Sequence, residues 1–385
     1  MAKPNIVVVG GSYVGLKFVD TIAPQVFESH NTVLIEKNSH FEHIFAFPRL
    51  SVIPGFTSKA FIPYTHAFHA NPAGSTSVVH GVASKVLPDK VVLQSGEEIP
   101  YEYLVVATGT GFLPTRGRTK AEGVAYGNAL QARVKEAQNI VVVGGGASGV
   151  QMVTDAKEYY PDKKITLIHS REHLMNRFHP RLHEVVLEKL NNAAIDVILG
   201  QRVKMPASGA FPVGACNVEL ADGRSIPADV AISCIGAVPL SDALVSLSPE
   251  SIDERRFVAV KPTLQIADAR FPKVFAIGDV AATGGNKNAR SGSAQAAVAA
   301  ENIKALIRGD AATQAYEPSP FGIHMSVGLW SWILFKNPTT PDGEPFIEFQ
   351  DTKEYKGTPE GDVKFEMGCA RFWAARAPGV TDYDV

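Results

Sequence analysis

Apolar residues in this chain gather in short continuous runs. Ile6 to Val9 is β-branched throughout, the pattern of a strand buried on both faces of a parallel sheet. Glycines follow it, and a second run, Val33 to Ile35, ends in an acid, so residues 4–38 predict a strand, a tight turn, a helix and a strand. From Glu36 to Gly81 the chain is rich in aromatics and proline without helical periodicity, which predicts an excursion out of the sheet of the kind that covers a bound cofactor. Val78 to Val82 and the segment after it, with turns at Pro88-Asp89 and Ser95-Gly96, predict a small β-meander. It closes on the buried run Tyr103 to Ala107 and the small-residue turn Thr108-Gly109-Thr110.

After a polar linker around Arg116 to Ala125, the opening pattern returns in "NIVVVGGGASGVQMVTDAKEYYPDKKITLIHSRE", 134 residues after the first. A later run ends in Cys234-Ile235-Gly236, where the first half has Ala107-Thr108-Gly109. Two such units predict an α/β chain with two Rossmann-like nucleotide-binding folds, each with a small β-meander. Beyond them, Phe271 to Ile277 predicts a strand ending at Gly278-Asp279, and the Ala-rich stretch Ser293 to Ile307 predicts a helix. Phe321 to Phe335 is almost wholly apolar but shorter than the roughly 20 residues that span a bilayer. An acceptor tunnel, a membrane interface, a dimer contact and a plain buried segment all fit it. The tail after Lys336 is polar and turn-rich until Phe372 and Trp373.

Spacing adds chemistry to this pattern. Gly10, Ser12 and Gly15 hold the three places of G-x-G-x-x-G, with Glu36 twenty-one residues past Gly15 and Lys37 beside it. Helix N-terminal amides then face a pyrophosphate and the carboxylate a ribose diol. Serine at the middle place is small, and its hydroxyl can donate to the same phosphate. The second unit has all three glycines, Gly144, Gly146 and Gly149, but His169, Ser170 and Arg171 stand where the acid is expected. A carboxylate there repels a 2′-phosphate and Arg171 can pair with one, so this site accepts NADPH alongside NADH. Arg171 as a surface residue beside Glu172 fits equally well.

At 385 residues the chain is long for one core and suits two or three domains. A net charge of −2 with no Lys/Arg block gives no footprint for nucleic acid. Three scattered cysteines, Cys216, Cys234 and Cys369, make neither a disulfide framework nor a metal site, which points to a reducing compartment. The first strand starts too early for a signal peptide, and Ala2 replaces the glycine that myristoylation needs, so a cytoplasmic location is expected.

The order of motifs is similar to that of two-nucleotide-domain flavoproteins of the pyridine nucleotide oxidoreductase superfamily. It most resembles the apoptosis-inducing-factor-like branch that includes ferroptosis suppressor protein and fungal NADH-dehydrogenase relatives. "VVVGGSYVGL", "FEHIFAFPRLSVIPGFTSKAFIPY", "EYLVVATGT", the second unit through His169, and "VFAIGDVA" with "QAAVAAENI" carry the resemblance. It implies an FAD domain from residues 1–115 and 253–315, an NAD(P)H domain from 125–245, and an α+β cap over the flavin from 316–385. It further implies FAD contacts at Gly10, Gly15, Glu36, Arg49, Val82, Ala107, Thr108, Gly109, Gly278 and Asp279, and Lys287 close to the ring. The NAD(P)H site takes Gly144, Gly146, Gly149, His169, Arg171 and Gly236. Gln151 stands where the family usually carries Glu; it can orient a nicotinamide amide but takes no proton.

The relatives pass electrons to quinones, and this chain lacks the reactive cysteine pair of the superfamily's disulfide reductases. The expected function is therefore NAD(P)H-dependent, FAD-mediated reduction of a quinone or similar apolar aromatic. The alternative is a specialised-metabolism flavoenzyme acting on a bound organic substrate, with His66, His69 or His324 as base. The sequence leaves monomer and homodimer open.

Overall fold

The computed structural model describes residues 3–111, 117–236, 238–351 and 363–385, with the side chains of residues 363 and 364 left aside. Its first sheet has five parallel strands in the order Val274–Ala276, Tyr103–Val106, Asn5–Val9, Asn31–Glu36, Thr76–His80. Ile6 faces Thr32 on one side and Tyr103 on the other. Ile6, Val7 and Val8 are fully buried because cores cover both faces of the sheet. Each such side chain contributes about 1.5–3 kcal/mol by burial, and none alternates with a polar residue. Thr76–His80 pairs with Asn31–Glu36, so the run at Val78 extends this sheet. The meander itself comprises Ala83–Val86, Lys90–Leu93 and Glu98–Pro100.

Helix α1 (Tyr13–Val26) follows the first strand and buries Leu16, Phe18, Val19 and Ile22. The excursion beyond Glu36 holds a two-stranded pair, His40–Glu42 with Phe61–Pro63, and a short helix α2 (Phe47–Leu50) between them. Residues 112–116 lie outside the described part. The expected polar linker runs into a helix from Lys120: α3 (Lys120–Glu136) opens on a capping box in which Thr119 accepts from the Glu122 amide and Glu122 reaches back.

The second sheet repeats the first, with parallel strands in the order Asp196–Ile198, Lys164–Ile168, Asn139–Val143, Val230–Ser233. Helix α4 (Ala147–Tyr159) takes the place of α1, and α5 (Pro180–Asn192) follows. The meander's counterpart is the hairpin Cys216–Glu219 with Ser225–Ala228, which Val203 joins through a single bridge to Leu220. Helix α6 (Ala289–Ile307) begins four residues before the Ala-rich run. It crosses α1 closely because Gly292 leaves room for Val14, whose Cγ2 a Cβ at that glycine would overlap.

The apolar stretch from Phe321 forms an antiparallel hairpin, Gly322–Ser326 with Ser331–Lys336, extended by Phe346–Asp351. Met325, Ile333 and Phe335 are buried against the core of the second unit, while Trp332 and Leu334 on the opposite face are half-exposed. Helix α7 (Cys369–Arg376) docks on the excursion, where Trp373 Nε1 donates to the Lys59 carbonyl at 2.8 Å. Arg376 pairs with Asp20 of α1 at 2.6 Å. Among the described residues no helix is long and apolar enough to cross a membrane.

Candidate functional site: two nucleotide cradles

Each parallel sheet ends in the same turn. Gly10 has φ +108° and Gly144 φ +122°, a backbone region that favours glycine. A Cβ on Gly10 would overlap the Ala107 carbonyl oxygen, and one on Gly144 the Cys234 carbonyl oxygen. A Cβ on Gly15 or Gly149 would overlap the carbonyl oxygen of Gly10 or Gly144 in turn. The Ala107 amide donates to Val9 at 2.8 Å, and the Cys234 amide donates to Val143 at 2.7 Å. The sequence repeat is thus also a repeat of contacts.

The middle places differ from these. Ser12 and Gly146 are the N-caps of α1 and α4 with nearly equal backbone angles, φ −80° and ψ −167° against φ −85° and ψ −175°. Ser12 is exposed and makes no capping bond. A Cβ on Gly146 would meet nothing within 4 Å, and neither would one on Gly236. The protein's own packing does not require glycine at either position. The first amides of both helices face that space, the donors an anion needs.

The second strand of each unit closes its turn with a side chain. Glu36 accepts from the Gly11 amide, and from the Asn38 amide at 2.8 Å. In the second unit His169 Nδ1 accepts from the Gly145 amide at 3.1 Å. The sequence marks His169 as the missing acid; the structure shows it doing the acid's local work with a neutral ring. An accepting Nδ1 leaves Nε2 as the N–H. That Nε2 is buried without a hydrogen-bond partner among the described residues. Burial, against the pull of the His173 backbone and helped by Arg171 and His183 nearby, holds the imidazole below its ordinary pKa. Arg171 is exposed, and the Lys37 carbonyl accepts from His80 at 3.0 Å.

The two connections between the units run side by side. Thr110–Gly111 pairs with Val238–Pro239, Thr108 Oγ1 donates to the Leu240 carbonyl at 2.6 Å, and the Leu240 amide donates to Gly109 at 3.0 Å. Val82 offers its carbonyl to the Gln94 amide at 2.8 Å. At the far edge of the first sheet the Gly278 amide donates to Gln295 Oε1 at 2.7 Å, one residue before Asp279. Burial raises the Asp279 carboxyl, with Lys287 and Arg177 opposing. Lys287 donates to the Ala281 carbonyl and lies 4.4 Å from the centre of the Phe257 ring. Burial pushes its ammonium down to about 8 against the attraction of Asp279. Sequence reasoning missed Arg177: no motif marks it, and it reaches Asp279 and Lys287 only through the approach of the two units.

Arg49 departs from expectation. Only 4% exposed, it gives Nε and Nη2 to the two carboxylate oxygens of Asp155, each at 3.0 Å, and Nη2 also to the Gly328 carbonyl at 2.8 Å. Its fork is filled by protein. Lys59, the other fixed charge of that loop, is paired with buried Glu366. Gln151 Nε2 donates to Ser326 Oγ at 3.0 Å, so its amide is tied to the hairpin. His66 and His324 are exposed, and His69 Nδ1 lies 3.0 Å from the His66 carbonyl. The described residues hold no cluster of His, Cys, Asp and Glu that could bind a metal.

A family model for the pyridine nucleotide-disulphide oxidoreductases matches residues 4–302. The chain belongs to that family. "Fe-regulated protein 8" of Mycosarcoma maydis is 34% identical over 359 residues, covering 85% of this chain and 87% of the relative. "Ferroptosis suppressor protein 1" of Homo sapiens is 29% identical over 335 residues, 84% of this chain and 86% of the relative. "Apoptosis-inducing factor homolog B" of Dictyostelium discoideum is 27% identical over 361 residues, 88% and 90%. These relatives place the chain in the branch of the apoptosis-inducing factor and ferroptosis suppressor proteins. Among solved structures, the sulfide:quinone oxidoreductase of Aquifex aeolicus shares the fold at a TM-score of 0.76 and 18% identity, over 99% of this chain and 93% of that one.

The family's cofactors are FAD and NAD(P)H, and the chain is an FAD-dependent NAD(P)H oxidoreductase. The residues present fit them: two open helix N-termini, a half-buried Asp279 and an unpartnered His169 Nε2. Lys287 then gives a pH dependence. It is cationic below about pH 8 and neutral above. Its folded value lies under the ordinary 10.5, so between the two the unfolded chain binds more protons and stability rises with pH. With Lys287 close to the ring, as the family resemblance implies, the flavin would lose a nearby cation over the same window. Potentiometric titration of the native protein is expected to show a steeper fall of midpoint potential above pH 8 than Lys287→Met shows. Superimposable curves would remove Lys287 from the flavin's surroundings.

Proposed function

We propose that this chain takes hydride from NAD(P)H at its second cradle and delivers the electrons, through FAD at the first, to a diffusible quinone-type acceptor. When bound, FAD supplies the hydride-accepting ring, and the nicotinamide supplies the hydride. What the polypeptide contributes is positioning. The α1 amides would hold the FAD pyrophosphate, Glu36 the adjoining ribose and Asp279 the hydroxyl-rich arm, with Lys287 as the cation near the ring. The α4 amides hold the nicotinamide nucleotide's pyrophosphate, and neutral His169 with Arg171 accepts a ribose with or without a 2′-phosphate. In this reading the FAD domain comprises 1–115 and 253–315, the NAD(P)H domain 125–245 and the cap 316–385.

One observation carries the choice of acceptor. The three cysteines stand on separate elements, Cys216 in the small hairpin, Cys234 at the second cradle and Cys369 at the start of α7. All three are free thiols, and no two lie within a Cys-x-x-Cys or similar short spacing, which supports electrons leaving to a molecule that diffuses in. The hairpin from Phe321 supplies its surface: Asn286 Nδ2, one residue before Lys287, donates to the Gly322 carbonyl at 2.9 Å. On the half-exposed face of that hairpin Trp332 and His324 meet edge to face at 4.8 Å, with Leu334 opposite His324. An apolar aromatic fits there better than an anion.

Anaerobically reduced protein mixed with acceptors tests this. A short-chain benzoquinone is expected to reoxidise the flavin faster than a small disulfide does. Reoxidation by the disulfide at equal or greater speed would move the acceptor to another class.

A further inference from the structure

Helix α4 carries Gln151, Asp155 and Glu158 at i, i+4 and i+7, so the three share one stripe. That stripe meets a single turn of the hairpin. Gln151 donates to Ser326 at 3.0 Å, Glu158 accepts from the Leu329 amide at 2.7 Å, and between them Asp155 takes the fork of Arg49. Arg49 in turn donates to the Gly328 carbonyl at 2.8 Å, and the Phe365 ring centre lies 5.8 Å from its guanidinium carbon. Arg49 comes from α2, in the excursion of the first unit; Asp155 comes from the helix that starts at the second cradle. Three stretches far apart in sequence therefore meet at one ion pair, whose carboxylate is fully buried.

Stability alone is a poor reason for such a pair. Replacing a buried ion pair by apolar residues is often neutral or favourable by roughly 1–4 kcal/mol. A bidentate fork instead fixes distance and angle together, which apolar contact does not. The same helix begins at Gly146, so any rotation of α4 carries the nucleotide's phosphate site with it.

Resting on the function proposed above, we infer that Arg49 and Asp155 are positioning residues: together they fix α4 against the flavin-side loop and the hairpin turn, and so set how closely the nicotinamide reaches the flavin. Neither touches the reacting atoms.

The test uses the purified holoprotein and two variants. Arg49→Lys keeps the charge without the fork, and the double variant Arg49→Met with Asp155→Leu removes both charges while filling the volume. Both are expected to retain flavin. The rate at which saturating NADH bleaches the flavin in anaerobic stopped flow is expected to fall on the order of 10- to 100-fold, the scale of a misplacement of about 1 Å. The affinity for NAD⁺ is expected to change by less than about 3-fold, because the α4 amides remain, while the long-wavelength charge-transfer band it induces weakens. Native bleaching rates and a native band in both variants would overturn the inference. Loss of the fold in both would make the pair a stability element and overturn it too. If the native flavin is bleached by neither nucleotide, the functional reading itself fails. Hydrogen exchange then decides for the pair: faster exchange at 326–329 and along α4 in Arg49→Lys supports its grip, and unchanged exchange refutes it.

Discussion

Gly15→Ala is expected to give a colourless protein. A Cβ at that position overlaps the Gly10 carbonyl oxygen, and both partners are backbone, so no rotamer relieves the contact. The start of α1 must move away from the strand that feeds it. It has little freedom to do so, since Val14 is lodged against Gly292 of α6 and Leu16 and Phe18 are buried beneath. The expected cost is about 3 kcal/mol, the upper end for overpacking. The amides that face the pyrophosphate also leave their places. The flavin-to-protein ratio after purification and a thermal melt measure both effects, and stoichiometric flavin in this variant would contradict the account. Gly149→Ala makes the same clash in the second cradle. It is expected to stay yellow and to lose reduction by NADH and NADPH, which separates the two cradles by cofactor.

The second large effect is expected from Asp155→Ala. The substitution leaves the Arg49 guanidinium buried, with the Gly328 carbonyl as its remaining hydrogen-bond acceptor among the described residues. Breaking a buried pair from one side costs about 3–5 kcal/mol, because the remaining charge is uncompensated. That is a large part of the 5–15 kcal/mol that typically separates folded from unfolded chains. The melting temperature is expected to drop steeply, and proteolysis to begin in the hairpin 322–336 and the loop around α2, the segments the pair joins. A melt within a degree or two of the native protein would show that water or a neighbouring group reaches Arg49.

Both cradles were legible in the sequence, because a Rossmann turn leaves marks that depend on spacing alone. Gly10 and Gly15, like Gly144 and Gly149, answer to backbone overlap within their own unit, and the strands on either side are continuous apolar runs. Helix α3 was not legible. It lies in a polar stretch and packs through its glycines: a Cβ on Gly123 would overlap the Phe61 ring, and one on Gly127 would press on Thr57 Cγ2. Close approach through absent side chains in its first two turns leaves Leu130 and Val134 near its end as the buried apolar pair, too short a stripe to count. The hairpin from Phe321 announced itself as apolar but hid its direction, since Trp332 and Leu334 on the open face are as apolar as Ile333 and Phe335 on the buried one.

Arg49 shows a different limit. Its partner Asp155 is 106 residues away and Gly328 is 279 away, so no local pattern joins them. His169 sits between these cases. Its position past the second strand was legible, but its bond from the Gly145 amide, the counterpart of the Gly11 bond to Glu36, required coordinates.

The claim beneath all of this is that one chain builds the same nucleotide turn twice and fills the two turns with different cofactors. An anaerobic titration of the purified yellow protein with NADH, and separately with NADPH, tests it most directly. Full bleaching of the flavin at about one equivalent of nucleotide per flavin is the predicted result. A flavin that stays oxidised for minutes in excess of both nucleotides would contradict it.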